Sequence, residues 1–348
     1  MKLDFNDLRI KTARVTRIKT RSETNPFYNI QKKKFLPVFT APMDTVVDRN
    51  NINKFLDNRI LTIIPRTESV ETLNKEFLFK AYSLSDFEKY FLDVKEEIIH
   101  INKQDTHYIL IDIANGHMKK LHTAIRKAKK IYGNKMIIMA GNIANADTYE
   151  ILSNAGADYI RLGIGNGNAC LTTKQTSIGY PMASLIQECK EVASKIKKPA
   201  KIIADGGMKD YSDIIIALAL GADFVMVGSL LNKALESCAD TFAFKYFKIN
   251  QYGKLAKWLL KKKFKLTKKF RGMSTKEVQR KLGAKKLKTS EGIKTKQKVE
   301  YNLEQWTENF TDYLRSTMSY TNAKNLKEFI GKPEIIRISD KAFQRFNK

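Results

Sequence analysis

Eight short runs rich in β-branched and apolar residues alternate with longer amphipathic stretches along this chain, and no other feature narrows its fold as far. Such runs read as strands, and apolar residues at three- and four-residue spacing read as helices, so the alternation describes β-α units wound around a parallel sheet. The runs cover residues 36–40, 60–64, 76–82, 108–113, 136–140, 159–163, 201–204 and 223–228. Helical spacing fills 117–132, 146–155, 182–196 and 211–220, with Gly156 and Gly221 where helices should stop. Eight such units close into a (β/α)8 barrel, the TIM-barrel class of α/β fold. The third run is the weakest, because Phe77-Leu78-Phe79 also continues a helical pattern from Val70. Beyond the eighth run come a Lys-rich stretch at 255–270, Gly272-Met273-Ser274, a short helix-like run and Ser290-Glu291-Gly292. Helices near 303–315 and 323–329 and an extended 334–338 complete a C-terminal flap and tail.

Barrel enzymes carry their chemistry on the loops that follow the strands. Here those loops hold the least ordinary residues: Asp44 after the first strand, Asp112 and Asn115 at the fourth, Gly141-Asn142 at the fifth, residues 163–170 at the sixth. Asp205-Gly206-Gly207 ends the seventh and Gly228-Ser229 the eighth. That coincidence marks the chain as an enzyme. In Gly163-Ile164-Gly165-Asn166-Gly167-Asn168-Ala169-Cys170, three alternating glycines free the backbone to turn tightly and to present bare carbonyls and N–H groups. Cys170 is then either a nucleophile held up by that loop or a small buried hydrophobe beyond a turn. The glycine pairs after strands seven and eight either make tight turns or supply the backbone N–H groups of a phosphate site, which this fold builds in those loops.

Composition narrows the setting. With 348 residues and 43% hydrophobic content the chain can bury a full core. Cys170, Cys189 and Cys238 form no C-x-x-C pair, which excludes a disulfide framework or zinc site and fits a reducing compartment. No run of about 18 uncharged apolar residues occurs and the N-terminus carries an early acid, so a cytoplasmic enzyme without a membrane span is expected. The net charge of +27 is uneven: residues 251–300 hold 18 Lys and Arg against Glu277, Glu291 and Glu300.

Taken in order, Ala41-Pro42-Met43-Asp44-Thr45-Val46, Asp112-Ile113-Ala114-Asn115-Gly116, Met139-Ala140-Gly141-Asn142, the 163–172 loop, Asp205-Gly206-Gly207 and Gly272-Met273-Ser274 resemble the IMP dehydrogenase/GMP reductase family over residues 2–338. The resemblance implies that Cys170 attacks C2 of a purine nucleotide to form a covalent adduct. It implies that Thr172 and Glu291 handle protons, and that oxygens of Gly165, Gly167, Cys170 and Thr173 hold a potassium ion. Asp205, Gly206, Gly207, Gly228 and Ser229 match contacts to the nucleotide's sugar and phosphate. Gly272, Met273, Ser274, Lys288, Ser290 and Gly292 match contacts to its base and phosphate. Thr20, Arg21, Arg66, Asp112, Ile113, Ala114, Ile164 and Gly165 match contacts to NADPH. So do Ser316, Thr317, Met318 and Ser319, donated by a neighbouring subunit of a homotetramer.

The family has two branches. A dehydrogenase hydrolyses its adduct and carries an Arg-Tyr pair on a mobile flap; only fifteen residues separate Ser274 from Ser290 here, without that pair. No space for the paired, CBS-type regulatory domain exists between strands two and three. The resemblance therefore implies one catalytic domain over 1–348, with a basic hairpin or flap insertion at about 230–300. The implied reaction is that of the reductase branch, GMP plus NADPH to IMP, ammonia and NADP⁺. An IMP dehydrogenase lacking its regulatory domain is the alternative. Asn168-Ala169, Leu171, Thr173, Arg66 and Lys288 depart from the family pattern around the base and ion sites, which leaves dGMP open as a substrate beside GMP.

Residues 255–270 interleave Lys with Leu, Trp258, Phe264 and Phe270. They read as a solvated hairpin at a subunit interface or, in a catalytically weakened barrel, as a nucleic-acid surface; the hairpin is the reading favoured here. His117 reads as a helix-start residue, Cys189 and Cys238 as helical core residues, and Asp44 as either a ribose contact or the cap of the helix that follows.

Overall fold

The computed structural model describes residues 1–30, 32–68, 78–93, 106–244 and 246–346. Eight parallel strands form its centre: β1 (Val38–Thr40), β2 (Ile63–Ile64), β3 (Phe79–Tyr82), β4 (His107–Asp112), β5 (Met136–Ile143), β6 (Tyr159–Leu162), β7 (Lys201–Asp205) and β8 (Phe224–Val227). Each pairs with its sequence neighbour, and β8 returns to β1. Phe39 pairs with Leu61 just before β2, with Leu61 N–H donating to the Val38 carbonyl at 3.0 Å, so the ring is closed and leaves no bare edge. The expected first half of the third strand, Glu76 and Phe77, and the helical pattern from Val70 lie outside the described residues.

Alternating side chains divide the hydrophobic residues into two layers. Inward-facing Phe39, Phe79, Leu110, Met139, Ile203, Phe224 and Met226 fill the barrel, with Phe39 and Phe79 edge-to-face at 5.7 Å. A hairpin of Tyr28–Ile30 and Lys33–Phe35 closes the floor, stacking Tyr28 on Phe224 at 4.7 Å. Truncating Phe39 to alanine would cost about 3–5 kcal/mol, the usual range for a buried aromatic. The outer layer packs beneath helices Lys119–Tyr132, Ala146–Ala155, Met182–Ala193, Tyr211–Leu220 and Leu303–Tyr320. Gly156 and Gly221 end their helices at φ +102° and +121°, the left-handed region where a Cβ is disfavoured.

The C-terminal part differs from the hairpin expected at 255–270. Four antiparallel strands run in the order Phe247–Ile249, Thr241–Ala243, Leu266–Arg271, Lys294–Lys298. Residues Lys254–Lys261 form a helix that turns Ala256 and Leu259 onto Leu235, Leu266 and Val299. The lysines masked that helix in the sequence, because its buried face is two residues wide. One lysine points inward: Lys268 is 0% exposed, and its Nζ donates to the Leu235 carbonyl (2.7 Å), the Ser237 carbonyl (2.6 Å) and Ser237 Oγ (2.8 Å). Burial lowers its pKa to about 7. The extended tail Ile335–Arg337 pairs antiparallel with Leu8–Ile10.

Candidate active site

β6 carries a charge where its neighbours carry hydrocarbon. Arg161 stands between Ile160 and Leu162, level with Gly141 of β5 and Ile203 of β7, and its side chain is 6% exposed. A buried guanidinium needs anionic partners to offset its lost hydration. Nη1 donates to Asp112 Oδ1 at 2.8 Å and Nη2 to Asp205 Oδ2 at 2.7 Å. Burial works against the Arg161 charge, but Asp205 and Asp112 outweigh it together and hold the pKa above its usual value. Gly141 permits this arrangement, since a Cβ there would lie 2.6 Å from the Arg161 carbonyl oxygen. Asn142 extends the row by donating to Asp205 Oδ2 and to the Gly163 carbonyl, both at 2.8 Å. At the other end Arg66 Nε lies 3.4 Å from Asp112 Oδ2, yet this buried nitrogen makes no hydrogen bond.

The Cys170 loop is held from the C-terminal part of the chain. Leu171 N–H donates to the Glu291 carbonyl at 2.6 Å, Ile293 N–H donates to the Ala169 carbonyl at 3.0 Å, and Cys170 bridges Gly292. Gly272 lies so close to this seam that a Cβ on it would sit 2.7 Å from the Ala169 carbonyl oxygen. The seam brings three side chains into line. Cys170 Sγ donates to Thr172 Oγ1 at 3.3 Å, and the Thr172 hydroxyl donates to Glu291 Oε2. Thiol, hydroxyl and carboxylate in sequence give a nucleophile with a path for its proton. Burial pushes the thiols of Cys189 and Cys238 well up. Cys238 lies in a bend rather than the expected helix and donates to the Asp44 carbonyl at 3.4 Å.

These loops enclose a cleft of about 330 Å³. Asp205, Gly206, Gly207, Gly228 and Ser229 line it, with Gly272, Met273, Ser274 and Glu291. Arg66, Asp112, Ile113, Ala114, Ile164 and Gly165 line it too, beside Gly167, Cys170 and Thr172. Lys288, Ser290 and Gly292 stand behind that lining: Lys288 N–H donates to Gln279 Oε1 at 2.7 Å, and Ser290 Oγ donates to the Gly292 carbonyl at 2.8 Å. Thr173 presses on the loop from outside; a Cβ on Gly165 would meet its Oγ1 at 1.8 Å. Thr20 and Arg21 lie elsewhere. Arg21 pairs with Asp312 of helix Leu303–Tyr320 at 3.2 Å, and the Ser319 carbonyl of that helix accepts from Thr16 at 3.0 Å. Ser316, Thr317 and Ser319 are half-buried on that helix, while Met318 is wholly buried in the core. A separate groove of about 520 Å³ runs along the same helix, away from the Cys170 cleft.

The sequence reading gave no individual role to four cleft residues, Arg161, Asn142, Met43 and Asn168, whose amide donates to Ser229 Oγ at 2.8 Å. Asn142, Met43 and Asn168 stood in its motifs, and Arg161 showed as a lone charge inside an apolar strand. Asp44 neither caps a helix nor stands free: its side chain, 1% exposed, pairs through Oδ2 with Arg271 at 2.5 Å and Lys281 at 3.1 Å. Asn51 occupies the cap position of the next helix, Ile52–Asp57. His117 ties two loops together. Its Nε2 accepts from Ala144 N–H at 3.1 Å, Nδ1 lies 2.7 Å from Thr148 Oγ1, and burial lowers its pKa.

A nicotinamide dinucleotide offers hydroxyls and phosphates, and the unsatisfied Arg66 Nε beside Asp112 suits such a ligand. A potassium ion would meet neutral oxygens only: the carbonyls of Gly165, Gly167 and Cys170 and the Thr173 hydroxyl. Both sets fit. The Gly167 carbonyl accepts Cys170 N–H at 2.8 Å and keeps a second lone pair. Among the described residues no cluster of three His, Cys, Asp or Glu could hold another metal.

A closed parallel barrel whose C-terminal loops converge on a cysteine and a carboxylate-backed hydroxyl defines a (β/α)8-barrel enzyme. The IMP dehydrogenase / GMP reductase domain matches residues 89–346, and the chain belongs to that family of oxidoreductases. It is 30% identical to the GMP reductase of Buchnera aphidicola, over 100% of this chain and 97% of the relative. The GMP reductase of Shewanella pealeana is 28% identical over 100% and 98% of the two chains. For GMP reductase 2 of Bos taurus the identity is 30%, over 97% and 95%. Among the described residues no helix is long and apolar enough to cross a membrane.

Proposed function

We propose that this chain is a GMP reductase, carrying out GMP + NADPH + H⁺ → IMP + NH₃ + NADP⁺. The relay from Cys170 through Thr172 to Glu291 supports this reading, together with relatives of that name matched from end to end. Cys170 Sγ adds to C2 of the purine as its proton passes to Thr172 and Glu291. The relay returns a proton to the 2-amino group, which departs as ammonia. NADPH, when bound, supplies the hydride that takes the place of the amino group at C2. Sγ then leaves, and the purine is released as IMP. Asp205 holds the sugar, Gly206, Gly207, Gly228 and Ser229 the phosphate, and Met273, Ser274 and the segment behind them, Lys288, Ser290 and Gly292, the base side. Arg66, Asp112, Ile113, Ala114 and Ile164 orient the cofactor. The loop carbonyls and Thr173 hold potassium.

The segment between Ser274 and Ser290 is filled by the helix Lys276–Lys281 and the turn at Gly283, with no Arg-Tyr pair to activate water. This favours the reductase over the dehydrogenase branch. The chain acts as one catalytic domain in the cytoplasm, as a homotetramer in which Thr20, Arg21 and Ser316–Ser319 of one copy reach the cofactor of the next. The test is NADPH absorbance with GMP or dGMP in potassium buffer, set against IMP with NAD⁺. GMP- or dGMP-dependent oxidation with ammonia release, lost in Cys170→Ala and reduced when sodium replaces potassium, is expected. Turnover with IMP and NAD⁺ alone would overturn it.

A further inference from the structure

From Thr241 to Lys276 the chain carries twelve Lys and Arg and no Asp or Glu. The acids flanking this stretch are engaged, Asp240 with Lys248 and Lys269, Glu277 with Arg271 and Lys294. Those acids, with Asp44, neutralise Lys248, Lys269 and Arg271, whereas among the described residues no ion pair joins Lys254, Lys257, Lys261, Lys262, Lys263 or Lys265. Three rings stand in a row upon it: Trp258 stacks on Phe264 at 5.8 Å, and Phe264 meets Phe244 edge-on at 5.8 Å. They are 51%, 41% and 59% exposed and stand side by side as one patch rather than scattered singly. On helix Lys254–Lys261 and its end, Trp258 has Lys254, Lys261 and Lys262 as its three- and four-residue neighbours, so lysines flank it on the helix surface.

We propose that this face binds a single-stranded polynucleotide, its bases stacking on Trp258, Phe264 and Phe244 and its phosphates meeting the surrounding lysines. Ring faces take unpaired bases of any sequence, and lysines neutralise the backbone. A duplex hides its base faces and would engage only the lysines. A membrane-seated helix needs a free apolar side, whereas here Ala256 and Leu259 are already covered by Leu235, Leu266 and Val299. None of the three rings lines the Cys170 cleft, so the binding is independent of the reductase reading.

The experiment uses the full chain and labelled oligo(U) and oligo(dT) of twenty nucleotides, followed by anisotropy across a salt series. Emission of Trp258 is followed in parallel, since Trp306, the only other tryptophan, is buried at 1% exposure. Expected are quenching of the exposed tryptophan, weaker binding as salt rises, and about tenfold weaker binding in W258A and in F264A, with the fold and GMP-dependent turnover unchanged. Equal affinity for a duplex of the same length, or unchanged affinity in both aromatic variants, would reduce the face to a non-specific polycation and overturn the proposal. So would no binding at low salt, binding to anionic vesicles but not to oligonucleotides, or a change of oligomeric state in W258A.

Discussion

Two buried cations, one in the barrel mouth and one in the antiparallel sheet beside it, respond to burial in opposite directions. Arg161 sits between two carboxylates and its pKa is raised; Lys268 donates only to carbonyls and a hydroxyl, the nearby Glu236 and Asp48 do not make up for burial, and its pKa falls to about 7. Loss of water disfavours both charges, so the difference lies in the partners. In the mouth a carboxylate on each side turns a costly charge into a rigid spacer that sets where Asp112 and Asp205 stand. In the sheet three hydrogen bonds and more distant acids offset only part of the cost, and the lysine serves as a three-pronged clamp on the turn between Leu235 and Ser237.

Four experiments sharpen or break this contrast. The largest effect falls where the sheet side enters the mouth: Glu291→Gln is expected to lower kcat by about 10²–10⁴-fold, the usual worth of a positioned proton acceptor. Near-normal turnover would mean that the sheet only supports the barrel. Arg161→Met leaves Asp112 and Asp205 unneutralised and is expected to lose about 3–5 kcal/mol in urea unfolding, with KM raised for nucleotide and cofactor together. A rise in only one KM would break the spacer role.

Lys268→Met should do the reverse and stabilise, by removing a lone buried charge. The folded pKa of about 7 lies below the 10.5 of an ordinary lysine. Between those values the unfolded chain binds the extra proton, so the wild-type protein gains stability as pH rises. The penalty is full below about 7 and gone above about 10.5, with a slope of at most about 1.4 kcal/mol per pH unit. Unfolding midpoints of wild type and variant measured from pH 7 to 10 should converge; parallel curves would show that Lys268 does not titrate there. The smallest change is Asn168→Ser, which shortens the side chain that donates to Ser229. A few-fold shift in nucleotide KM at constant kcat is expected, and a fall in kcat would place Asn168 nearer the chemistry.

The barrel was legible because each strand is an apolar run that stops at a turn residue, and β1 to β8 fall on the eight expected runs. The loops were legible as motifs, but their couplings were not. Arg161 to Asp112 and Asp205, or Asp44 to Arg271, join residues 44 to 227 positions apart, and nothing in local spacing encodes such pairs. Residues 254–261 were misread because lysines on the outer face outnumber the two buried residues that define the helix. Cys238 was misplaced for a related reason: burial by a neighbouring loop leaves no periodic trace.

The seam that carries the relay also sets a time order. Thr172, two residues after Cys170, leaves the ribosome 119 residues ahead of Glu291. A nascent barrel halted before the sheet is complete holds its sulfur and hydroxyl without the carboxylate that ends their row, so the three groups come together only when most of the chain has been made.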